Sequence, residues 1–136
     1  MTSRWIPVVA GALRGADGRW LMHRRADHKH HGGLWEFPGG KVEPAEIPVE
    51  SLVRELREEL GITVRIEDCE PIAFADDGLS GGQLSIVIML YRIEHFEGIP
   101  LALEGGAVGW FNSQEIARLD KPPLDIALAR QLRDAD

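Results

Sequence analysis

Three carboxylates are spaced so that a helix would bring them together. Glu55, Glu58 and Glu59 stand at positions i, i+3 and i+4, and residues three or four apart are neighbours on a helix surface. Their mutual repulsion, and their place in the C-terminal half of a helix, make this arrangement unfavourable for stability alone. Mg²⁺ or Mn²⁺ would reverse that effect, because hard cations prefer carboxylate oxygens. The alternative is a solvated helix face on which the acids pair with Arg54 and Arg57.

The surrounding residues predict a helix over residues 48–60. Its apolar positions recur at spacings of three and four and form one stripe, namely Val49, Leu52, Val53, Leu56 and Leu60. Pro48 suits the first helical position, and Gly61 suits the position after the helix, where a positive φ is favoured. Ile47 stands at the N-cap without an acceptor, which should weaken the helix start by about 1 kcal/mol. Glu50 can bond back to the backbone instead.

Composition restricts the classes of protein to which the chain could belong. A chain of 136 residues is long enough for a core of its own, so we expect residues 1–136 to form a single domain. The net charge of −7 argues against binding to nucleic acid polymers or anionic membranes, which requires basic patches. No apolar run approaches a membrane span, and no signal-peptide pattern is present. The single cysteine, Cys69, excludes an internal disulfide, and we expect a cytoplasmic protein.

Strands are predicted on both sides of this helix. The apolar run at residues 6–13 predicts a buried strand, and we expect it to form a hairpin with residues 19–25 across a turn at 15–18. Residues 34–38 predict a short aromatic strand that leads into a Gly39-Gly40 turn.

Further strands follow the helix, at residues 64–66, 71–75, 84–93 and 108–111. The third of these is the most apolar and predicts a central strand, and a glycine-rich hairpin loop precedes it at residues 76–82. A short helix begins near Asn112 or Ser113, either of which can cap it, and residues 124–132 predict a terminal helix. The order β-β-β-α-β-β-β-α-α indicates an α+β fold with a mixed sheet between helices.

The three acids belong to a longer motif. It reads Gly40, five residues, Glu46, seven residues, Arg54-Glu55-Leu56, one residue, Glu58-Glu59, one residue, and Gly61-Ile62. This spacing matches the Nudix box at each fixed position, so the sequence resembles the Nudix hydrolases. Residues 34–43, 96–110 and the Pro-Pro-x-Asp125 segment look like the MutT branch. The resemblance implies an α/β/α sandwich whose mixed β-sheet lies between helices, with the box helix against the sheet.

The resemblance also implies an activity, which is Mg²⁺-dependent hydrolysis of a nucleoside triphosphate to the monophosphate and pyrophosphate, with Mn²⁺ as a further candidate cofactor. Some MutT-type enzymes remove 8-oxo-dGTP from the nucleotide pool, and this protects DNA. Similar enzymes act on CTP or modified pyrimidine nucleotides, so the base stays open. An ADP-ribose hydrolase and a non-catalytic Nudix module rank lower. We expect a small-molecule nucleotide as the partner and a monomer or homodimer.

Roles for the box residues follow from the resemblance. The metal ligands would be the Gly39 carbonyl and the carboxylates of Glu55, Glu58, Glu59 and Glu104. The catalytic residues would be Glu58, Glu59, Glu104 and Arg54, with Arg54 orienting a carboxylate. The general base stays open between Glu59 and Glu104. A solvated loop acid is the alternative for Glu104.

Residues outside the box would bind the substrate, and we name Arg25, Phe37, Lys41 and Asp125. Core packing is the alternative for Phe37. Asp125 stands where the 8-oxoguanine enzyme of this branch has asparagine. A carboxylate only accepts hydrogen bonds unless it is protonated, so it favours bases that present donors: the amino group of cytosine or adenine, or the N1–H and amino group of guanine. Capping of the last helix is the alternative for Asp125.

Three histidines, His28, His30 and His31, lie in a polar loop at residues 26–33. Neighbouring histidines can bind a metal, but no further ligand motif accompanies them. We expect an exposed loop that lines the nucleotide entrance.

Overall fold

Two sheets and three helices make up the protein, and the computed structural model describes residues 4–78 and 85–135. In chain order the elements are β1 (Trp5–Leu13), β2 (Trp20–Arg24), β3 (Trp35–Glu36), β4 (Gly39–Lys41), α1 (Pro48–Leu60), a 3₁₀ turn (Ile66–Asp68), β5 (Cys69–Asp76), β6 (Ser85–Ile93), β7 (Ala107–Phe111), α2 (Ser113–Arg118) and α3 (Pro123–Ala135). One sheet has the strand order β4-β1-β6-β5, and the other has the order β3-β2-β7. Because β1 pairs in parallel with β6 but antiparallel with β4, the first sheet is mixed, and the predicted α+β class is confirmed.

Strand β1 is buried on both faces, and this explains its continuous apolar sequence. Val9 and Leu13 pack on one face against the leucines of α1, which are Leu52, Leu56 and Leu60. Ala10 and Ala12 pack on the other face, in a second cluster that includes Ile116 of α2 with Leu128 and Leu132 of α3. Successive side chains of a strand point to opposite faces. Helix α1 and the two C-terminal helices therefore lie on opposite sides of the sheet, and the predicted α/β/α sandwich is confirmed.

Helix α1 has the bounds that its sequence signals predict, Pro48–Leu60. Gly61 follows it with φ +71°, and its N–H donates to the Arg57 carbonyl. At the other end Ile47 is extended and its side chain makes no capping bond. The Ile47 N–H instead donates to Glu50 Oε1 at 3.0 Å, so the predicted back-bond from Glu50 is confirmed.

The predicted hairpin between residues 6–13 and 19–25 is wrong. The turn exists, since the Gly15 N–H donates to the Arg19 carbonyl at 2.8 Å. Beyond one bridge between Arg14 and Trp20, however, β1 and β2 belong to different sheets. Both edges of β1 are already paired, with β4 and with β6. Strand β2 therefore pairs with β3 and β7 instead.

Two further predictions from local sequence are wrong. The Gly39-Gly40 segment is not a turn but part of β4, where Gly39 pairs with Ala10 and Gly40 with Val9. Residues 64–66 form no strand, because Thr63 makes only an isolated bridge to Glu97 and a 3₁₀ turn follows. Pairing with a distant strand makes the first segment a strand, and the lack of such a ladder leaves the second outside both sheets.

The other predicted elements are confirmed as β3, β5, β6, β7, α2 and α3. Asn112 caps α2, and its side chain accepts the Glu115 N–H at 2.8 Å. Of the predicted hairpin loop, residues 79–82 lie outside the described part of the chain. Within residues 4–78 and 85–135, no helix is both long enough and apolar enough to cross a membrane.

The Ile47→Ser variant should be more stable than the Ile47→Ala variant, because a hydroxyl at the N-cap can accept an N–H of the first turn. We expect the free energy of unfolding to rise by about 1 kcal/mol relative to Ile47→Ala. The alanine variant is the matched control, since Ile47 is 59% exposed and alanine removes its side chain without adding an acceptor. Denaturant unfolding measures both variants. Equal midpoints for Ile47→Ser and Ile47→Ala would contradict the prediction.

Candidate active site

A cavity of about 180 Å³ brings together residues from β2, β3, β4, α1 and two loops. Its lining consists of His23, Arg25, Ala26, Lys29, Glu36, Gly39, Glu55, Glu59, Glu104 and Gly105. Five residues that the sequence singled out are among them: Arg25, Gly39, Glu55, Glu59 and Glu104. The other five, Phe37, Lys41, Arg54, Glu58 and Asp125, do not line this cavity.

Helix α1 presents its three acids to different environments. Its leucines are buried against β1, and this orientation leaves Glu59 buried, Glu55 half-buried and Glu58 exposed. Burial raises the pKa of Glu59, and the charges of Glu36, Glu55 and Glu104 raise it further, while His23 opposes them. Burial likewise raises the pKa of Glu55, against the effect of Arg54. Protonation of these two acids is therefore easier than in water.

Arg54 connects the acids of α1 to the acid that precedes the helix. Its Nε lies 2.9 Å from Glu46 Oε2, and its Nη1 lies 3.0 Å from Glu55 Oε1 and 3.2 Å from Glu58 Oε2. Glu46 also accepts the Ser51 hydroxyl at 2.8 Å, and these two partners lower the pKa of Glu46. Arg54 thus restrains the carboxylates of Glu55 and Glu58, which is the geometry that an orienting role requires.

The Gly39-Gly40 pair leaves room for two neighbours, the paired strand β1 and the side chain of Glu55. A Cβ on Gly39 would collide with the Val9 carbonyl oxygen, which belongs to the paired strand β1. A Cβ on Gly40 would collide with the carboxylate of Glu55. Glycine at the first position therefore permits the strand pairing, and glycine at the second leaves the space that the Glu55 carboxylate occupies.

The loop before β7 places Glu104 at the mouth of the cavity. Two hydrogen bonds fix this loop, since the Leu103 N–H donates to the Glu59 carbonyl at 3.1 Å and His23 Nε2 lies 3.1 Å from the Gly105 carbonyl. Glu104 is exposed, but its charge contributes to the raised pKa of both Glu55 and Glu59.

Sequence reasoning missed five residues of the cavity, and three of them carry ionisable side chains: His23, Lys29 and Glu36. The imidazole of His23 lies between two acids, with Nδ1 at 3.5 Å from Glu59 Oε1 and 3.6 Å from Glu36 Oε2. Glu36 also pairs with Arg25, whose Nη1 lies 3.2 Å from Oε1. The available signal was a polar residue within a buried strand, because buried polar groups need partners.

The loop histidines take no part in this cluster. His28, His30 and His31 are exposed. Among the described residues they belong to no group of three metal-ligating side chains, so the structure gives no support to the alternative that they bind a metal.

Phe37 and Asp125 do not line the cavity but connect the end of β3 to α3. The Phe37 ring is buried in the core beside α3, and its N–H donates to Asp125 Oδ1 at 3.0 Å. Burial raises the pKa of Asp125 to about 7, although the bond from Phe37 opposes the shift. Lys41 is exposed on β4, and its carbonyl accepts Arg54 Nη2 at 3.3 Å. Contact of these three side chains with a substrate stays a prediction.

The donor set fits a hard divalent cation. Three carboxylates, from Glu55, Glu59 and Glu104, share the cavity with the backbone at Gly39. Glu59 Oε1 is buried and has no hydrogen-bond partner within the described part of the chain. A buried, unpaired carboxylate oxygen is costly, and a bound cation would remove that cost. Oxygen donors of this kind are those that Mg²⁺ prefers.

Comparison with known proteins shows the family to which the chain belongs. The NUDIX domain family matches residues 4–133. A CTP pyrophosphohydrolase of Escherichia coli is 38% identical over 92% of this chain and 89% of its own length. An 8-oxo-dGTP diphosphatase of the same organism is 30% identical over 94% of this chain and 96% of its own length. The solution structure of the E. coli ORF135 protein superposes with a TM-score of 0.84, at 35% identity, and covers 97% of this chain and 91% of that one.

Replacing Arg54 with lysine should weaken divalent-metal binding. Lysine keeps the charge but cannot hold Glu46, Glu55 and Glu58 together, because it lacks the planar fork of donors. We expect the Mn²⁺ dissociation constant to rise about 10- to 100-fold, as measured by isothermal titration calorimetry. Arg57→Lys is the matched control, since Arg57 is exposed on the same helix. Equal Mn²⁺ affinity in the two variants would refute the orienting role.

Proposed function

The chain belongs to the Nudix hydrolase family, and from that membership we propose that it hydrolyses a nucleoside triphosphate to the monophosphate and pyrophosphate, with Mg²⁺ as cofactor and Mn²⁺ as a substitute. The observation that carries this proposal is the convergence of Glu55, Glu59 and Glu104 on one cavity. Phosphoanhydrides resist water because their negative charge repels nucleophiles. A catalyst must therefore neutralise the phosphates and orient a water molecule.

Each part of the cavity would have its own task. The box carboxylates, Glu104 and the Gly39 carbonyl would hold the ion. Once bound, the ion would neutralise phosphate oxygens and lower the pKa of a bound water. Arg25 and Lys29 line the same cavity, so both are placed to bind phosphate oxygens. Arg54 would position Glu55 and Glu58 from behind, without touching the substrate.

The general base is either Glu59 or Glu104. Glu59 is buried and its pKa is raised by that burial, which favours proton transfer near neutral pH. Glu104 is exposed at the cavity mouth, where it can reach a substrate-bound water without desolvation. Both residues stay candidates, and both would also serve as metal ligands.

For the substrate we propose an oxidised or otherwise modified nucleotide such as 8-oxo-dGTP, so that the reaction cleanses the nucleotide pool. CTP, or a modified pyrimidine nucleotide, is the second candidate. The names of the two relatives support these two candidates, and the CTP enzyme shares the greater identity, 38% against 30%. Asp125 would contact the base with an acceptor position that the Phe37 N–H, bonded to Oδ1, leaves available.

The proposed partner is therefore a small nucleotide rather than a nucleic acid polymer. We also propose that residues 1–136 act as one domain, because the two hydrophobic clusters share strand β1. Monomer or homodimer stays a prediction.

Glu58→Gln and Glu59→Gln test the catalytic assignment. We expect each to lower Mg²⁺-dependent kcat/KM at least about 100-fold, which corresponds to about 2.7 kcal/mol, because each removes a charged metal ligand. Pyrophosphate release from nucleoside triphosphates measures this. Glu50→Gln, on the first turn of the same helix, is the control and should keep full activity. Unchanged turnover in both box variants would overturn the catalytic proposal. Unchanged turnover in Glu58→Gln alone would mean that Glu58 is no metal ligand and that its role is limited to the ion pair with Arg54.

Asp125→Asn tests how the base is chosen. An amide can donate as well as accept, so we expect the ratio of kcat/KM between 8-oxo-dGTP and CTP to change about tenfold, or about 1.4 kcal/mol. Mg²⁺ dependence should be retained. A panel of normal and damaged nucleotides measures the ratio, with Asp120→Asn as a control of equal charge change. An equal loss on every nucleotide would show that Asp125 only holds α3 against β3.

A further inference from the structure

A buried histidine faces two carboxylates at the inner end of the cavity. His23, Glu36 and Glu59 each offer a ligand atom, and these three atoms all lie within 4.8 Å of one another. The side chains of His23 and Glu59 are each only 9% exposed. The Nudix box accounts for Glu59 but not for His23 or Glu36, which lie on β2 and β3.

The second ring nitrogen of His23 has no partner at hydrogen-bond distance within the described part of the chain, although two carboxylates face it. Nε2 lies 3.1 Å from the Gly105 carbonyl, and a carbonyl only accepts, so Nε2 carries a hydrogen. Nδ1 is buried with no hydrogen-bond partner in the described part of the chain, and the same holds for Glu59 Oε1. The 3.5 Å between these two atoms exceeds the usual 2.7–3.2 Å of such a bond. Two buried polar atoms therefore face each other beyond hydrogen-bond distance.

Two of the three distances match those that a small cation imposes on its ligands. Metal bonds of about 2.0–2.2 Å in a tetrahedral arrangement separate the ligand atoms by about 3.3–3.6 Å. Nδ1 lies 3.5 Å from Glu59 Oε1 and 3.6 Å from Glu36 Oε2. The bond from Nε2 to a backbone carbonyl is the second contact that metal-bound histidines usually make, and it holds the ring in the required tautomer.

We propose that His23, Glu36 and Glu59 form a binding site for a first-row transition cation such as Zn²⁺ or Co²⁺. The imidazole nitrogen favours such ions over Mg²⁺, which prefers oxygen donors alone. All three residues line the cavity, so the ion would have further coordination positions on that side. The site does not depend on hydrolysis, although it shares Glu59 with the proposed Mg²⁺ site.

Occupancy of this site has a consequence for the enzyme. The ion would bind Glu59 and would compete with Arg25 for Glu36. In the ion pair of these two residues, Arg25 Nη1 lies 3.2 Å from Glu36 Oε1. Zn²⁺ should therefore inhibit Mg²⁺-dependent turnover, and an excess of Mg²⁺ should only partly relieve the inhibition, because His23 and Glu36 remain bound.

The experiment titrates the full chain with ZnCl₂ while the histidine ring nitrogens are followed by ¹⁵N NMR. We expect Nδ1 of His23 to shift to a metal-bound value while Nε2 keeps its hydrogen. By calorimetry, His23→Gln and Glu36→Gln should each weaken Zn²⁺ binding at least about tenfold. The matched control replaces His28, His30 and His31 with glutamine together, and should retain the same site. Circular dichroism reports whether each variant folds.

Three results would overturn the site. One is a His23 ring that carries hydrogens on both nitrogens and does not respond to Zn²⁺, since the ring would then be an imidazolium paired with two carboxylates. Another is unchanged Zn²⁺ affinity in His23→Gln and Glu36→Gln. A third is loss of Zn²⁺ binding in the loop variant alone. If His23→Gln does not fold, the Zn²⁺ affinity of Glu36→Gln and the ¹⁵N spectrum of the wild-type protein test the site without it. Mg²⁺-dependent pyrophosphate release is assayed separately, so the failure of either proposal is distinguishable from that of the other.

Discussion

The packing of α1 against β1 is the constraint on which the site depends. Leu52, Leu56 and Leu60 are fully buried against the strand, and each such burial contributes about 1.5–3 kcal/mol. This apolar contact fixes the rotation of the helix about its axis. Glu55 and Glu59, on the adjoining face, are thereby turned into the cavity and partly removed from water. The leucines thus offset the cost of placing two acids where they would not otherwise be stable.

The crowding of acids is the physical basis of the proposed cation site. Glu55 and Glu59 both have raised pKa values, chiefly because of burial. An acid whose pKa is higher in the folded than in the unfolded protein binds more protons when folded, so stability falls as pH rises from the unfolded pKa towards the folded one. A cation that binds only the folded form opposes this loss. Arg54 compensates part of the charge permanently, since it contacts Glu46, Glu55 and Glu58.

Local sequence was sufficient for the elements whose signals are local. Helix α1 follows from its leucine spacing and from the residues at its two ends, and its bounds were predicted to the residue. The partners of β1 could not be predicted in this way, because its pairing with β6 joins residues some eighty positions apart. For the same reason Gly39-Gly40 was interpreted as a turn, although its pairing with β1 makes it a strand. The motif identified the acids of α1, but not the environment that each of them has.

The residues that sequence reasoning missed show where the limit lies. His23 and Glu36 are not part of the box, and only the pairing of β2 with β3 brings them beside Glu59. A related dependence applies to Asp125, whose Oδ1 holds the backbone of Phe37. One oxygen of this carboxylate attaches α3 to the end of β3, and in the proposed function the same carboxylate contacts the base. The proposed choice of substrate and the attachment of the last helix would therefore be coupled through one side chain. Changes at this position that alter base preference should also alter stability, whereas changes to exposed acids of the box, such as Glu58, need not.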